Sequence, residues 1–392
     1  MKRISILFLI LALAAPAWAI KYKGDLETNE SITFPEQSVK PTNPASSKHK
    51  LYFKDGGVAY SLDSSGNENP VDVGGFKNKL INGNFDLWQR GTSFTFNGPG
   101  VGGYFADHWR AWEVGGTGGS VTITRQSFAL GQSDVPGEPE NFMRWATTTG
   151  TTNFRIFHRV EDVRTSAQRQ WTFSFWAKAA AAVTMTTTGR SNPGSGGSGG
   201  GGWPGATGTH NLTTSWQKFS KTMNALDLTS STLGAGNFWE VEFNIPSGNH
   251  TVDIARAQLE EGSVATKFED RPIGLELALA QRYYQKTFPY ATAPGQNAGV
   301  ADALCYTALL AGVNPYGLNW YLKSPMRTDP TITYYNPSAS NNKFRNTPDS
   351  GDSGTPVTDV LSPNYVFIRN PQVATDAVGE QICIHAAADA EI

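Results

Sequence analysis

Trp171-Thr172-Phe173-Ser174-Phe175 and Trp239-Glu240-Val241-Glu242-Phe243-Asn244-Ile245 decide the fold. In both stretches large apolar residues alternate with polar ones. Successive side chains of an extended chain point to opposite faces, so each stretch predicts a half-buried β-strand. Working outward, residues 79–272 repeat this alternation between turns rich in Gly, Asn and Pro, which predicts a two-sheet sandwich of jelly-roll type. Trp171, Trp216 and Trp239 are expected in its core. Between the two diagnostic strands lies SNPGSGGSGGGGWPGATG, residues 191–208. Glycine loses more entropy on ordering than any other residue, so a mobile loop is expected there. The segment has no Gly-Lys-Ser/Thr ending and is a poor phosphate cradle.

The rest of the 392 residues agrees with an all-β chain of two or three domains: 41 Gly, 22 Pro and 11 Trp accompany only 17% charged residues. One helix stands out, LELALAQRYYQK at residues 275–286, with Leu275, Ala278, Leu279 and Arg282 on one side. It makes residues 273–287 a connecting helix between the jelly roll and a C-terminal β-sandwich tip domain, residues 288–392, with a long loop near 338–355. Residues 20–78 predict an extended arm containing Pro35, Pro41 and Pro44, followed by a hairpin that turns at Asp55-Gly56-Gly57. At the amino end, Lys2 and Arg3 precede an apolar run from Ile4 to Ala15 and then Ala17-Trp18-Ala19. That is the layout of a secretory signal peptide over residues 1–19, with a hydrophobic plug for a partner protein as the alternative.

Charge and motifs narrow the function. The formal net charge of -2 with interspersed signs shows no basic stripe for nucleic acid. No HExxH, GxSxG or Cys-x-x-Cys pattern occurs, and the six histidines have no ligand spacing, so no catalytic residues are assigned and the chain is read as a non-enzyme. Cys305 and Cys383 both lie in apolar runs and are read as buried thiols, a disulfide between neighbouring strands being the alternative. The carboxylate doublets Glu161-Asp162 and Glu260-Glu261 point to opposite faces of a strand and are read as solvated charge. Aromatics offer the more useful signal, because sugar rings stack their C–H faces on Trp and Tyr. Trp176 is out of phase with its apolar neighbours, Trp203 lies in the glycine-rich segment, and Trp109 and Trp112 flank Arg110; these four tryptophans are the stacking candidates.

Several patches resemble bacteriophage tail-fibre and receptor-binding proteins that carry a carbohydrate-binding-like module: residues 80–92 (LINGNFDLWQRGT), 106–110 (ADHWR), 156–164 (IFHRVEDVR), 173–178 (FSFWAK), 252–269 (VDIARAQLEEGSVATKFE) and 271–285. The opening and closing patches also resemble secreted carbohydrate-binding modules with the galactose-binding jelly roll. Pro325-Met326-Arg327-x-x-Pro330 and the terminal residues 388–392 resemble distal tips of tail fibres. The resemblance implies a virion-surface adhesion protein, a homotrimer, that meets host polysaccharide or lipopolysaccharide and joins other virion tail or head proteins through its N-terminal arm. A structural fibre or adaptor, and a secreted bacterial adhesin, are the alternatives. It also implies a structural calcium between first and last strands, for which Asp86 and Asp253 are the candidate ligands.

Overall fold

The computed structural model describes residues 36–37, 39–46, 48, 50–54, 58–62, 64–66, 68–70, 76–98, 100–113, 119–148, 154–199, 201–202, 205–309, 316–347, 351–371 and 377–392. The chain divides into two compact units, Met1–Gly75 and Phe76–Ile392. In the first, β1 (Glu36–Gln37), β2 (Lys50–Lys54), β3 (Val58–Leu62) and β4 (Glu68–Pro70) form one sheet in that order, with β1 parallel to β2. β2 and β3 make the predicted hairpin: Tyr52 stands opposite Tyr60, both buried, with rings 5.9 Å apart. The sheet answers the need of a lone hairpin for further strands. The signal-like segment 1–19 and the turn at 55–57 lie outside the described residues.

The second unit opens with the predicted sandwich. Its strands are β5 (Ser93–Asn97), β6 (Gly102–Tyr104), β7 (Trp109–Glu113), β8 (Ser120–Ser127), β9 (Asn141–Thr147), β10 (Phe154–Glu161), β11 (Trp171–Ala179), β12 (Val183–Asn192), β13 (Gly201–Gly202), β14 (Gly208–Leu212), β15 (Gln217–Met223), β16 (Phe238–Ile245) and β17 (His250–Glu261). One sheet runs β15-β11-β17-β9-β8-β5; the other runs β13-β12-β16-β10-β7-β6, with β14 also on β12. Trp171, Phe173 and Phe175 from the first sheet meet Trp239, Val241 and Phe243 from the second in one apolar core, as the alternation predicts. Trp171 and Trp239 touch at 4.8 Å between centroids.

The glycine-rich segment is ordered where described, contrary to expectation. Ser195 and Ala235 exchange backbone hydrogen bonds of 2.9 and 3.1 Å, and Ser198 and Thr232 exchange bonds of 2.8 and 3.0 Å. Glycine permits the close approach that makes these bonds: a Cβ on Gly234 would lie 2.0 Å from the Ser195 carbonyl oxygen, and one on Gly197 2.3 Å from that of Pro193. Trp216 is also only half-buried, against Phe128 and Phe142 on the outside of the first sheet, rather than in the core.

The helix α1 (Ile273–Gln281) stops earlier than its pattern suggests, because Tyr284–Lys286 becomes β18. Tertiary bonds override helix propensity here. The buried Lys286 ammonium donates to the carbonyls of Gln89, Tyr290 and Thr292 at 2.7, 2.8 and 2.6 Å, and burial lowers its pKa to about 8. The C-terminal region then adds β19 (Leu304–Thr307), β20 (Tyr316–Tyr321), β21 (Thr331–Tyr335), β22 (Arg345–Asn346), β23 (Gly351–Asp352), β24 (Val357–Leu361), β25 (Tyr365–Asn370) and β26 (Gln381–Asp389). β26 is its hub, pairing with β18, β19, β21 and β22, while β20-β25-β24 form a second sheet over a separate apolar cluster around Phe344, Ile368 and Ile382. Cys305 and Cys383 face each other across β19 and β26 and are joined in a disulfide, which corrects the reading of free thiols. The end of the chain locks onto the sandwich. Arg90 binds Asp389 and Glu391 at 3.1 and 3.0 Å, and His108 meets Glu391 at 2.6 Å.

Candidate binding face

Alternation along β7, β10, β12 and β16 turns one set of side chains into the core and the other outward, and strand register aligns the outward set in rows. One row is Arg110–Phe157–Glu242–Thr188; the next is Trp112–Arg155–Asn244–Thr186; on the other side lies Arg159–Glu240–Arg190. Glycine shapes one end. A Cβ on Gly102 of β6 would lie 2.8 Å from Trp112 Cε3, so its absence makes room for the half-buried indole.

Charges on this face are stacked in layers. Glu242 is fully buried although it points outward, because Arg155 Nη1 and Arg190 Nε both donate to its Oε1 at 2.9 Å. Arg159 Nε donates to Glu240 Oε2 at 3.0 Å, and its guanidinium lies 4.1 Å from the centroid of the Phe238 ring. Burial, reinforced by the neighbouring Glu240, raises the Glu242 pKa against the opposing pull of the two arginines. Arg155, Arg159, Arg190, Asn192, Phe238 and Glu240 line an open depression of about 300 Å³. Three buried polar atoms on this same face have no protein hydrogen-bond partner: Arg110 Nε, Arg155 Nε and Glu242 Oε2. Guanidinium forks, a carboxylate oxygen and aromatic rings on one surface can bond hydroxyls edge-on and stack apolar ring faces.

Of the four stacking candidates, only Trp112 is placed on this face. Trp109 is fully enclosed, with its Nε1 donating to the Asn82 carbonyl at 3.0 Å and its ring 4.9 Å from Phe85; it is a core residue and has no face left for a ligand. Trp176 is half-buried on the outside of the other sheet, opposite Lys218 on β15. Trp203 lies outside the described residues. Asp86 and Asp253, the candidate calcium ligands, each bond protein groups. Asp253 accepts from Arg144 Nε and Nη2 at 2.7 and 2.9 Å and has Lys178 at 3.9 Å, so cations occupy its oxygens. Asp86 accepts from the amides of Asn84 and Asn141, and burial raises its pKa. Among the described residues no group of three or more His, Cys, Asp or Glu could hold a metal ion. Glu260, read as solvated, is buried and accepts from the Thr266 backbone and hydroxyl, so it fastens the turn after β17.

No sequence motif marks the other face residues, Arg110, Arg155, Phe157, Arg159, Arg190, Glu240 and Glu242. Their signal was present in the two-residue spacing of Arg155, Phe157 and Arg159 and of Glu240 and Glu242. The neighbour relation of β7, β10, β16 and β12 carries no such local mark.

No protein-family model matches the chain, and no curated protein matches it. Among solved structures, a CBM4 structure aligns over 47% of this chain and 99% of its own at 15% identity and a TM-score of 0.28. A family 11 carbohydrate-binding module from Clostridium thermocellum, in complex with a mixed-linked tetrasaccharide, aligns over 44% of this chain and 98% of its own at 15% identity, TM-score 0.28. The enzymatically active domain of bacteriophage CBA120 tailspike protein 4 aligns over 47% of this chain but only 21% of its own length, at 11% identity and a TM-score of 0.30. The molecule is an all-β sandwich protein with an open face of arginines, carboxylates and aromatic rings.

Proposed function

We propose that this chain is an adhesion protein that binds a host-surface polysaccharide or lipopolysaccharide on the outward face of β7, β10, β16 and β12, without cleaving it. The observation that carries the reading is the open depression lined by Arg155, Arg159, Arg190, Asn192, Phe238 and Glu240, with the half-buried Trp112 indole on the same face. Guanidinium donors, a carboxylate and an aromatic ring on one open surface suit a ligand dense in hydroxyls. Following the tail-fibre resemblance, the chain acts at the virion surface as a homotrimer, attached to tail or head proteins through its N-terminal arm. Trimerisation suits weak sugar sites, because a site of about millimolar affinity is worth only about 4 kcal/mol and joining several raises avidity by roughly 10² to 10⁴.

The test is a microarray of bacterial surface glycans probed with the full chain and three variants. Trp112→Ala and Arg155→Ala should each lose at least about tenfold in binding to whichever glycan the wild type selects. Trp176→Ala, on the opposite sheet, should bind as the wild type does. Equal binding by all four proteins would refute this location, release of reducing ends would refute binding without cleavage, and a monomeric mass in solution would refute the trimer.

A further inference from the structure

The four guanidiniums on this face are not equally matched. Arg155 and Arg190 share Glu242, and Arg159 has Glu240 and the Ile392 main-chain oxygen. The Arg110 side chain has no ion pair and no hydrogen bond to any described residue. Three rings lie beside it: Tyr104, Trp112 and Phe157 have centroids 5.6, 5.0 and 5.9 Å from its guanidinium carbon. The side chain is half-buried, and its Nε is enclosed without a partner. An arginine keeps its charge at any pH a protein meets, so this position holds a permanent, partly desolvated cation with no anion of its own. Three aromatic faces attract the charge but satisfy none of the N–H donors.

We infer that Arg110 and Trp112 form a subsite for an acidic sugar, in which the two Nη groups of Arg110 clasp the carboxylate of a uronic acid and the Trp112 indole takes the apolar face of the same ring. This rests on the reading that the face binds glycan. The geometry favours a carboxylate because a planar guanidinium fork pairs with its two oxygens through two parallel hydrogen bonds, while a neutral hydroxyl offers a single oxygen and leaves the charge unmatched.

The experiment is ligand-observed NMR with the full chain and four monosaccharides: glucuronate and galacturonate with their neutral counterparts, glucose and galactose. The wild type should bind at least one uronate about tenfold more tightly than the matching neutral sugar. Arg110→Gln should abolish that preference, bringing the ratio of uronate to neutral-sugar affinity to about one, and Arg110→Lys, which keeps the charge but not the fork, should retain only part of it. Thermal unfolding of both variants checks that they fold; if the Gln variant does not, the Lys variant and titration with salt decide. Equal binding of acid and neutral sugars by the wild type, or a preference that survives Arg110→Gln, overturns the acidic subsite while leaving the glycan-binding face in place. Displacement of the uronate by acetate and sulfate at equal concentrations also overturns it, as a site for any anion. If none of the four sugars binds, the glycan reading fails and this inference falls with it.

Discussion

Removing the Cys305–Cys383 bridge should weaken the C-terminal sheets by a calculable amount. The two residues lie 78 positions apart in sequence and directly opposite one another on β19 and β26. Treating the bridge as a constraint on the unfolded chain, a loop of 78 residues loses 2.1 + 1.5R ln 78 cal/mol/K, about 4.5 kcal/mol at 25 °C. Engineered and natural bridges commonly deliver somewhat less, about 2–4 kcal/mol. For a unit of this size each kcal/mol shifts the midpoint by about 2–4 °C, so the Cys305→Ala/Cys383→Ala double variant should melt about 5–15 °C below the wild type. Scanning calorimetry on both proteins, with and without reductant, gives the comparison. Reductant should lower the wild-type transition toward that of the variant and leave the variant unmoved. A shift under about 2 °C, or two titratable thiols in the unreduced, denatured wild type, would refute the reasoning.

Gly234→Ala should destabilise the chain by about 1–3 kcal/mol in urea, because its Cβ would meet the Ser195 carbonyl oxygen at 2.0 Å and part the two backbones; amide exchange at Ser195 and Ser198 should speed up with it. Lys286→Met should cost roughly 1–3 kcal/mol, since the buried Gln89 carbonyl and the part-buried Tyr290 and Thr292 carbonyls lose the donor they share; an unchanged urea midpoint would show that water replaces the ammonium without loss. Glu242 has a folded pKa above its ordinary value of 4.5, so over the window rising from that value the folded chain holds a proton the unfolded chain has lost, and stability falls as pH rises. Glu242→Gln should flatten that fall, which urea midpoints measured at a series of pH values would register as a shallower slope.

Much of this fold was legible in the sequence, for a physical reason. The alternation in 171–175 and 239–245 reports burial on one face directly, and the core packs those apolar residues as the pattern demands. The helix end was not legible, because Tyr284, Gln285 and Lys286 are helix-compatible and become a strand only when β26 and the Gln89, Tyr290 and Thr292 carbonyls are in place. The ordering of 191–199 escaped for a related reason: glycine's entropic cost is local, whereas the backbone bonds to 232–235 that offset it are not. Trp109 misled because its flanking arginine suggested a surface, yet alternation on β7 sends Trp109 inward and Arg110 and Trp112 outward. The binding face depends on four strands being neighbours, a fact of topology that no local stretch encodes.

Hydrogen–deuterium exchange with and without the surface glycan that the array selects tests the central claim most directly. The account predicts slowed exchange in peptides covering 109–113, 154–161, 186–192 and 238–245, with 171–179 and 217–223 unchanged. Protection confined to 171–179 and 217–223, around Trp176 and Trp216, would place binding on the opposite sheet and contradict it.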